Sequence, residues 1–143
     1  IFSPTHHNYY LTSINIFLDN KYFGSGPKSF RVLCLDEKYK INKYSCSTHT
    51  HNYYVQLISE TGVIGLILII ILLINFVYLF IKILIKQNVT SNHKNYYIIL
   101  IGGLLINFFP FVPTGNFFNN WLSIMIYIPL SFLITKNIYA FRI

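Results

Sequence analysis

The sequence has very little charge, and this lack limits what the protein can be. Only 10% of its 143 residues are Asp, Glu, Lys or Arg, and just four are acidic. Soluble domains carry about 25% charged residues. Because 54% of the residues are hydrophobic, the composition predicts a membrane protein.

The patterns of several common enzyme classes are also missing. The sequence contains no Ser-His-Asp set, no P-loop and no paired carboxylates. Nothing therefore supports a hydrolase or a nucleotidase. The chain starts at Ile1, without an initiator methionine or a signal-peptide pattern, so we expect a fragment of a longer protein.

Positive charge is in excess, and just over half of the basic residues lie in residues 1–54. The net charge is +7, from 11 Lys and Arg against 4 Asp and Glu. Residues 1–54 hold six of these basic residues, with no nucleic-acid recognition motif among them. We therefore predict anionic lipid or lipid-linked phosphate as the partner, and no nucleic acid.

One long apolar run predicts a transmembrane helix. Between Glu60 and Lys82 there are 21 consecutive uncharged residues, almost all Ile, Leu, Val or Phe. At 1.5 Å per residue, such a run covers the ~30 Å hydrocarbon core of a bilayer. We place the helix at residues 55–85.

A second uncharged stretch predicts a helical hairpin. It covers 41 residues between Lys94 and Lys136, too long for one crossing, and Pro110 and Pro113 interrupt it. We predict two arms, Tyr96 to about Phe109 and about Asn120 to Ile134, joined by a Pro- and Asn-rich turn. A re-entrant pair is the alternative.

The predicted fold class is an all-α polytopic membrane protein with about three transmembrane helices. A periplasmic loop region with short helices, residues 1–54, precedes them; its apolar spacing predicts an amphipathic helix over Tyr9 to Leu18 after a loop at Pro4 to Asn8. The remaining parts are the helix at 55–85, a cytoplasmic loop at 86–95 and the hairpin at 96–143. Basic residues assign the loop and the C-terminus to the cytoplasm: Lys82, Lys86, Lys94, Lys136 and Arg142.

The densest polar cluster lies just before the first predicted crossing. His51 can accept a proton from a hydroxyl near neutral pH. Asn52 is placed to cap the helix, whose free N–H groups favour an anion such as phosphate. Asn52, Gln56 and Glu60 fall at i, i+4 and i+8, along one helix face. The alternative is a solvated helix end with an incidental histidine.

Two basic residues upstream suit an anionic ligand. Arg31 is the only Arg in residues 1–54, and Lys28 lies three residues before it. Arginine binds phosphate oxygens in a bidentate fork. Solvated charges, or contacts to lipid headgroups, are the alternative.

The cysteines and glycines allow more than one interpretation. Cys34 and Cys46 could form a disulfide or remain two free thiols. Cys46, His49 and His51 have C-x2-H-x-H spacing, but a fourth zinc ligand is missing, so we predict no metal. Ser59, Gly62 and Gly65 recur every three residues, which predicts close approach of another helix.

These residues also resemble a known family. His51-Asn52, nine residues and Gly62-Val63-Ile64-Gly65 resemble the H-N-x9-G-x-x-G signature of the O-antigen ligase/polymerase family. Residues 23–31, 46–62 and 109–121 resemble one of its subgroups. Thr50 departs from the proline that many members carry between the two histidines.

The resemblance implies a metal-independent glycosyltransferase of the bacterial inner membrane, with about ten or more spans and no cofactor. It implies transfer of a glycan from undecaprenyl diphosphate, at the periplasmic face, to lipid A–core, a growing polysaccharide or a protein. His51 would lie beside the acceptor hydroxyl, and Arg31 would clamp the diphosphate. Substrate-binding candidates are Lys28, His49, Asn52, Gln56 and Glu60.

Other arginines important in the family lie upstream of these motifs, so the resemblance predicts that this piece is inactive alone. Two alternatives of another class remain. A transporter would carry ionisable residues within its spans, where only Asn75 comes near. A noncatalytic membrane protein would tolerate loss of His51.

Overall fold

The computed structural model describes residues 3–85 and 91–140, with side chains at 3–85 and 94–135. All regular structure in these ranges is helical, which confirms the predicted all-α class. The helices are α1 (Pro4–Asp19), α2 (Phe30–Leu33), α3 (Tyr53–Ile85), α4 (Ser91–Asn107) and α5 (Asn120–Ala140). Lys86 and Arg142, which entered the sidedness prediction, lie outside the described residues.

Helix α1 begins five residues earlier than its apolar spacing predicted. Ser3 caps it, with the Ser3 hydroxyl accepting from the His6 N–H at 3.4 Å, and Pro4 occupies the first turn. The predicted loop at Pro4 to Asn8 is therefore helical, because cap and proline start a helix that periodicity alone did not show. Helix α4 likewise begins at Ser91, within the predicted loop at 86–95.

Helix α3 has two parts that meet at Gly62. The Gly62 backbone is not helical, with φ 68° and ψ −167°. Residues 53–61 are rich in buried side chains, among them Gln56, Leu57 and Glu60. Residues 63–85 are apolar and many of their side chains are exposed. The break thus separates a part buried in protein from a part with an apolar surface.

Within the described ranges, α3 is the one helix whose length and composition suit a membrane crossing. A shorter apolar helix covers Asn120–Thr135. Three crossings therefore stay a prediction.

The chain divides into two compact units. The first comprises Ile1–Ile69 and Pro110–Asn119. Its apolar core consists of Ile16, Phe30 and Cys34, which joins α1 to α2. A disulfide between Cys34 and Cys46 attaches the following loop to this core. The sequence left open whether these cysteines form a disulfide or remain free thiols, and the structure contains the disulfide.

The second unit comprises Ile70–Phe109 and Asn120–Ile143. Helices α4 and α5 pack against each other within it. Phe76 of α3 and Phe108 are both buried, with ring centroids 6.2 Å apart. No predicted site residue lies in this unit, so the first unit carries the candidate site.

Candidate active site

The candidate site is built on the break in α3 at Gly62. The loop at residues 21–26 supplies the hydrogen bonds that the interrupted helix lacks. Four backbone hydrogen bonds join loop and helix: Ser25 N–H to Ser59 O (3.0 Å), Gly26 N–H to Glu60 O (2.9 Å), Val63 N–H to Lys21 O (2.9 Å) and Ile64 N–H to Tyr22 O (3.4 Å). The loop is therefore fixed to both sides of the break.

Two glycines make this contact possible. A Cβ at Gly62 would lie 2.3 Å from the Tyr22 carbonyl oxygen, and a Cβ at Gly24 would lie 2.4 Å from the Glu60 carbonyl carbon. The small residue Gly62 does allow a close backbone contact, as predicted, but within the described residues its partner is the loop at residues 21–26 and not another helix. Gly65 instead leaves room for the Thr61 side chain of its own helix.

The Glu60 carboxylate holds the next part of the same loop. It accepts from the Lys28 N–H at 3.0 Å and the Phe30 N–H at 3.1 Å, and from the Gln56 side-chain amide at 2.9 Å. Glu60 is buried. Its two oxygens thus fix the backbone on either side of Ser29, immediately before Arg31.

Changing Glu60 to Gln tests this role. The new NH₂ group cannot accept a hydrogen bond, so one loop N–H loses its partner in a buried place. We expect a destabilisation of about 1–3 kcal/mol, measured as a lower midpoint of thermal unfolding for the purified full-length protein. The matched control is Glu37→Gln, since the Glu37 side chain is 84% exposed. Equal midpoints for the two variants would contradict the assignment.

Gln56 connects α3 to the distant segment at 110–119. Its amide NH₂ donates to Glu60 and to the Asn116 side-chain oxygen, both at 2.9 Å, and its oxygen accepts from the Phe117 N–H at 2.9 Å. Gln56 is fully buried. Both ends of the amide therefore bind protein groups.

Asn52 caps α3, as predicted, and has a second contact. Its side-chain oxygen accepts from the Tyr54 N–H at 3.0 Å and the Val55 N–H at 3.2 Å. Its NH₂ group donates to the Pro110 carbonyl at 2.8 Å. The predicted polar stripe thus serves largely to hold residues 110–119 and the loop before Arg31.

His51 lies directly before this capped helix end. Its backbone is in the left-handed region, with φ 59°, and its carbonyl accepts from the Thr114 N–H at 2.9 Å. The ring is half-buried among polar and aromatic groups. Its neighbours are Ser47 Oγ, 3.4 Å from Nε2, and the rings of Tyr9, His6 and His49, with centroids at 5.9, 5.2 and 4.1 Å.

This environment keeps the side chains of His51 and His49 neutral at neutral pH. Burial lowers the pKa of His51 below its ordinary value, and the Coulombic interaction with His6 lowers it further. Burial and the nearby His51 also lower the pKa of His49, against a smaller opposing effect of a hydrogen bond with the Thr114 backbone. A neutral imidazole can accept a proton.

Arg31 and Lys28 present positive charge on the same unit. Arg31 is an exposed residue of α2 and forms no ion pair within the part of the chain that the structure describes. Three residues later, the Cys34–Cys46 disulfide ties α2 to the segment leading to His51. Because Cys46 is in a disulfide, it is not a thiolate that could bind zinc with His49 and His51.

Sequence patterns did not identify four neighbours of His51: His6, Tyr9, Ser47 and Thr114. His6 and Tyr9 reach the site from α1, on one helix face three residues apart. The resemblance in residues 109–121 was the one signal that pointed to the Thr114 segment.

The fold and site define an all-helical protein with a polar site where a membrane-length apolar helix begins. Residues 6–70 match the family model described as O-Antigen ligase, and this match supports membership of that family. The match includes every predicted site residue. The family is membrane-embedded, and its ligase- and polymerase-type glycosyltransferases act on lipid-linked glycans and polysaccharides. The comparisons with curated proteins and with solved structures gave no match.

Proposed function

We propose that this chain carries the acceptor-activating part of a membrane glycosyltransferase of the O-antigen ligase type. The donor is a glycan on undecaprenyl diphosphate, and the acceptor is a glycolipid such as lipid A–core. Transfer takes place at the periplasmic face of the bacterial inner membrane. The observation that carries the proposal is the neutral, half-buried His51, held inside the segment that matches the O-antigen ligase family model.

In the proposed reaction, the acceptor hydroxyl gives its proton to the His51 imidazole. The hydroxyl oxygen bonds to the anomeric carbon of the donor sugar, and the bond from that carbon to the diphosphate oxygen breaks. The electron pair leaves with undecaprenyl diphosphate. Arg31 and Lys28 stabilise the charge that develops there, which makes a metal ion unnecessary.

The buried polar residues take positioning roles in this proposal. Glu60 and the disulfide hold α2 and Arg31, while Gln56 and Asn52 hold residues 110–119 beside His51. The polar groups of Glu60, Gln56 and Asn52 already bind protein, so we propose positioning and not substrate contact as the role of these three residues. His49 remains a candidate for substrate contact, next to His51.

The proposal also includes three membrane crossings. Residues 63–85 of α3, at 1.5 Å per residue, extend about 35 Å, enough for the hydrocarbon core. Helices α4 and α5 form the hairpin. The basic charge of residues 1–54 runs against the positive-inside rule, and an anionic diphosphate substrate gives that charge a purpose.

Changing Arg31 to Ala tests the proposed reaction. We expect glycan transfer by the purified full-length protein to fall on the order of 10²-fold, with Arg31→Lys in between because lysine keeps the charge but not the fork. The control is Lys43→Ala, which removes an exposed basic residue from the 36–45 loop. If Arg31→Ala and Lys43→Ala behave alike, Arg31 does not stabilise the leaving group.

The polysaccharide of a strain lacking the gene distinguishes the related activities. Long chains that stay on the lipid carrier, with bare lipid A–core, indicate a ligase. Single repeats attached to lipid A–core indicate a polymerase, and unglycosylated target protein indicates a protein glycosyltransferase. If the purified full-length protein with donor and acceptor forms no product, the transporter or noncatalytic alternative is correct.

A further inference from the structure

We propose that Tyr22 and Phe23 insert into the membrane–water interface and anchor the first unit to the bilayer surface. This anchor is separate from glycan transfer. It rests on the part of the proposed function that places residues 63–85 across the membrane.

The side chains of Tyr22 and Phe23 are largely exposed to solvent. Tyr22 is 74% exposed and Phe23 is 79% exposed. Because apolar rings are unfavourable in water, two open rings side by side favour contact with an apolar phase. Their backbone is held in place, since Gly24, the next residue, donates to the Asn20 carbonyl at 2.8 Å.

The hydrogen bonds at the helix break fix the height of this pair along α3. The Tyr22 carbonyl accepts from the Ile64 N–H, and the Lys21 carbonyl accepts from the Val63 N–H. The first exposed apolar residues of the run follow at once, at Ile64, Ile67 and Leu68. The aromatic pair therefore lies level with the start of the apolar surface.

The chemistry of the pair suits a lipid surface. Tyrosine is enriched at the interface because its ring is apolar and its hydroxyl polar, and Phe23 can reach the acyl boundary. Lys21, also exposed, precedes them and can bind anionic headgroups with its amine while its stem lies on the apolar side. A basic residue beside two open aromatics favours lipid over an apolar protein surface.

Tryptophan fluorescence tests the anchor. Phe23→Trp is made in the full-length protein with every native tryptophan, Trp121 among them, changed to Phe. The protein is reconstituted into vesicles of phosphatidylethanolamine and phosphatidylglycerol, with or without bromine on the acyl chains and without polyprenyl lipid. We expect the brominated vesicles to remove most of the emission of the tryptophan at position 23. Tyr22→Trp repeats the test if the first variant folds poorly.

Two further positions separate the anchor from the crossing. Leu68→Trp reports the crossing, and Tyr44→Trp reports a water-exposed loop. Quenching at 23 and 68 but not at 44 supports the anchor. Quenching at 68 alone overturns the anchor and leaves the crossing standing, whereas no quenching at either position overturns both. Emission at 23 that resists acrylamide and bromine alike shows a protein partner, and this also overturns the anchor.

Discussion

Replacing His51 with Gln is expected to lower the rate of glycan transfer by about 10²- to 10⁴-fold, the usual contribution of a general base. Glutamine keeps a polar side chain of similar reach but cannot accept the hydroxyl proton. Transfer is measured with the purified full-length protein, and surface polysaccharide is followed in cells by gel electrophoresis. His51 lies within the segment that matches the O-antigen ligase family model, so a loss of transfer would connect that family match to a chemical role of His51.

The control for this change is His7→Gln. His7 is exposed on α1, beside the half-buried His6. This variant should transfer glycan at the wild-type rate. Wild-type transfer by His51→Gln would remove His51 from the reaction and favour a noncatalytic protein.

The pH dependence of the transfer rate is a second test of the general-base role of His51. Because burial and His6 lower the pKa of His51, the unprotonated base prevails down to a pH below about 6.5, the ordinary histidine value. The rate should rise with pH through that lowered pKa and stay level through neutral pH, and His51→Gln should lack this rise. A rate that increases as the pH falls from 7 would contradict the general-base role.

Replacing Gly62 with Ala is expected to prevent the first unit from folding correctly. The Gly62 conformation, φ 68° and ψ −167°, is essentially restricted to glycine, and forcing another residue into it costs about 1–3 kcal/mol. The new Cβ would also lie 2.3 Å from the Tyr22 carbonyl oxygen, which belongs to backbone and cannot rotate away. Loss of the loop bonds on both sides of the break would follow.

The control for this change is Gly103→Ala in α4, where a Cβ would meet no atom within 4 Å. Alanine favours helix over glycine, so this variant should be as stable as wild type or slightly more stable. The readouts are the yield of monodisperse protein in detergent and the midpoint of thermal unfolding. A Gly62→Ala protein with wild-type yield and midpoint would show that the helix does not break at this position.

Local patterns in the sequence predicted the parts of the site that depend on neighbours in the chain. The long apolar helix and the cap at Asn52 follow from residues a few positions apart, and the structure contains both. The break at Gly62 could not be predicted, because a glycine in an apolar helix is equally consistent with helix packing. Only the contact with the loop at residues 21–26 shows that the glycine breaks the helix and does not pack against a second helix. That loop lies about forty residues away in the sequence.

The contacts of Gln56 and Glu60 illustrate the same limit. Their spacing placed them on one helix face, which is correct. Their partners lie 61 residues downstream, at Phe117, and 30 residues upstream, at Phe30. Because spacing cannot identify such distant partners, the sequence suggested substrate as the ligand of these side chains.

The hydrogen bond between the Thr114 N–H and the His51 carbonyl also constrains the path of the chain. Two bonded residues lie on the same side of a bilayer, so the chain between them must cross it an even number of times. With α3 as one proposed crossing, α4 must be the return, although its 17 residues extend only about 26 Å. If α3 crosses the bilayer as proposed, this parity makes α4 a second crossing whatever its length and hydropathy, and so short a helix then requires a thinned bilayer around it.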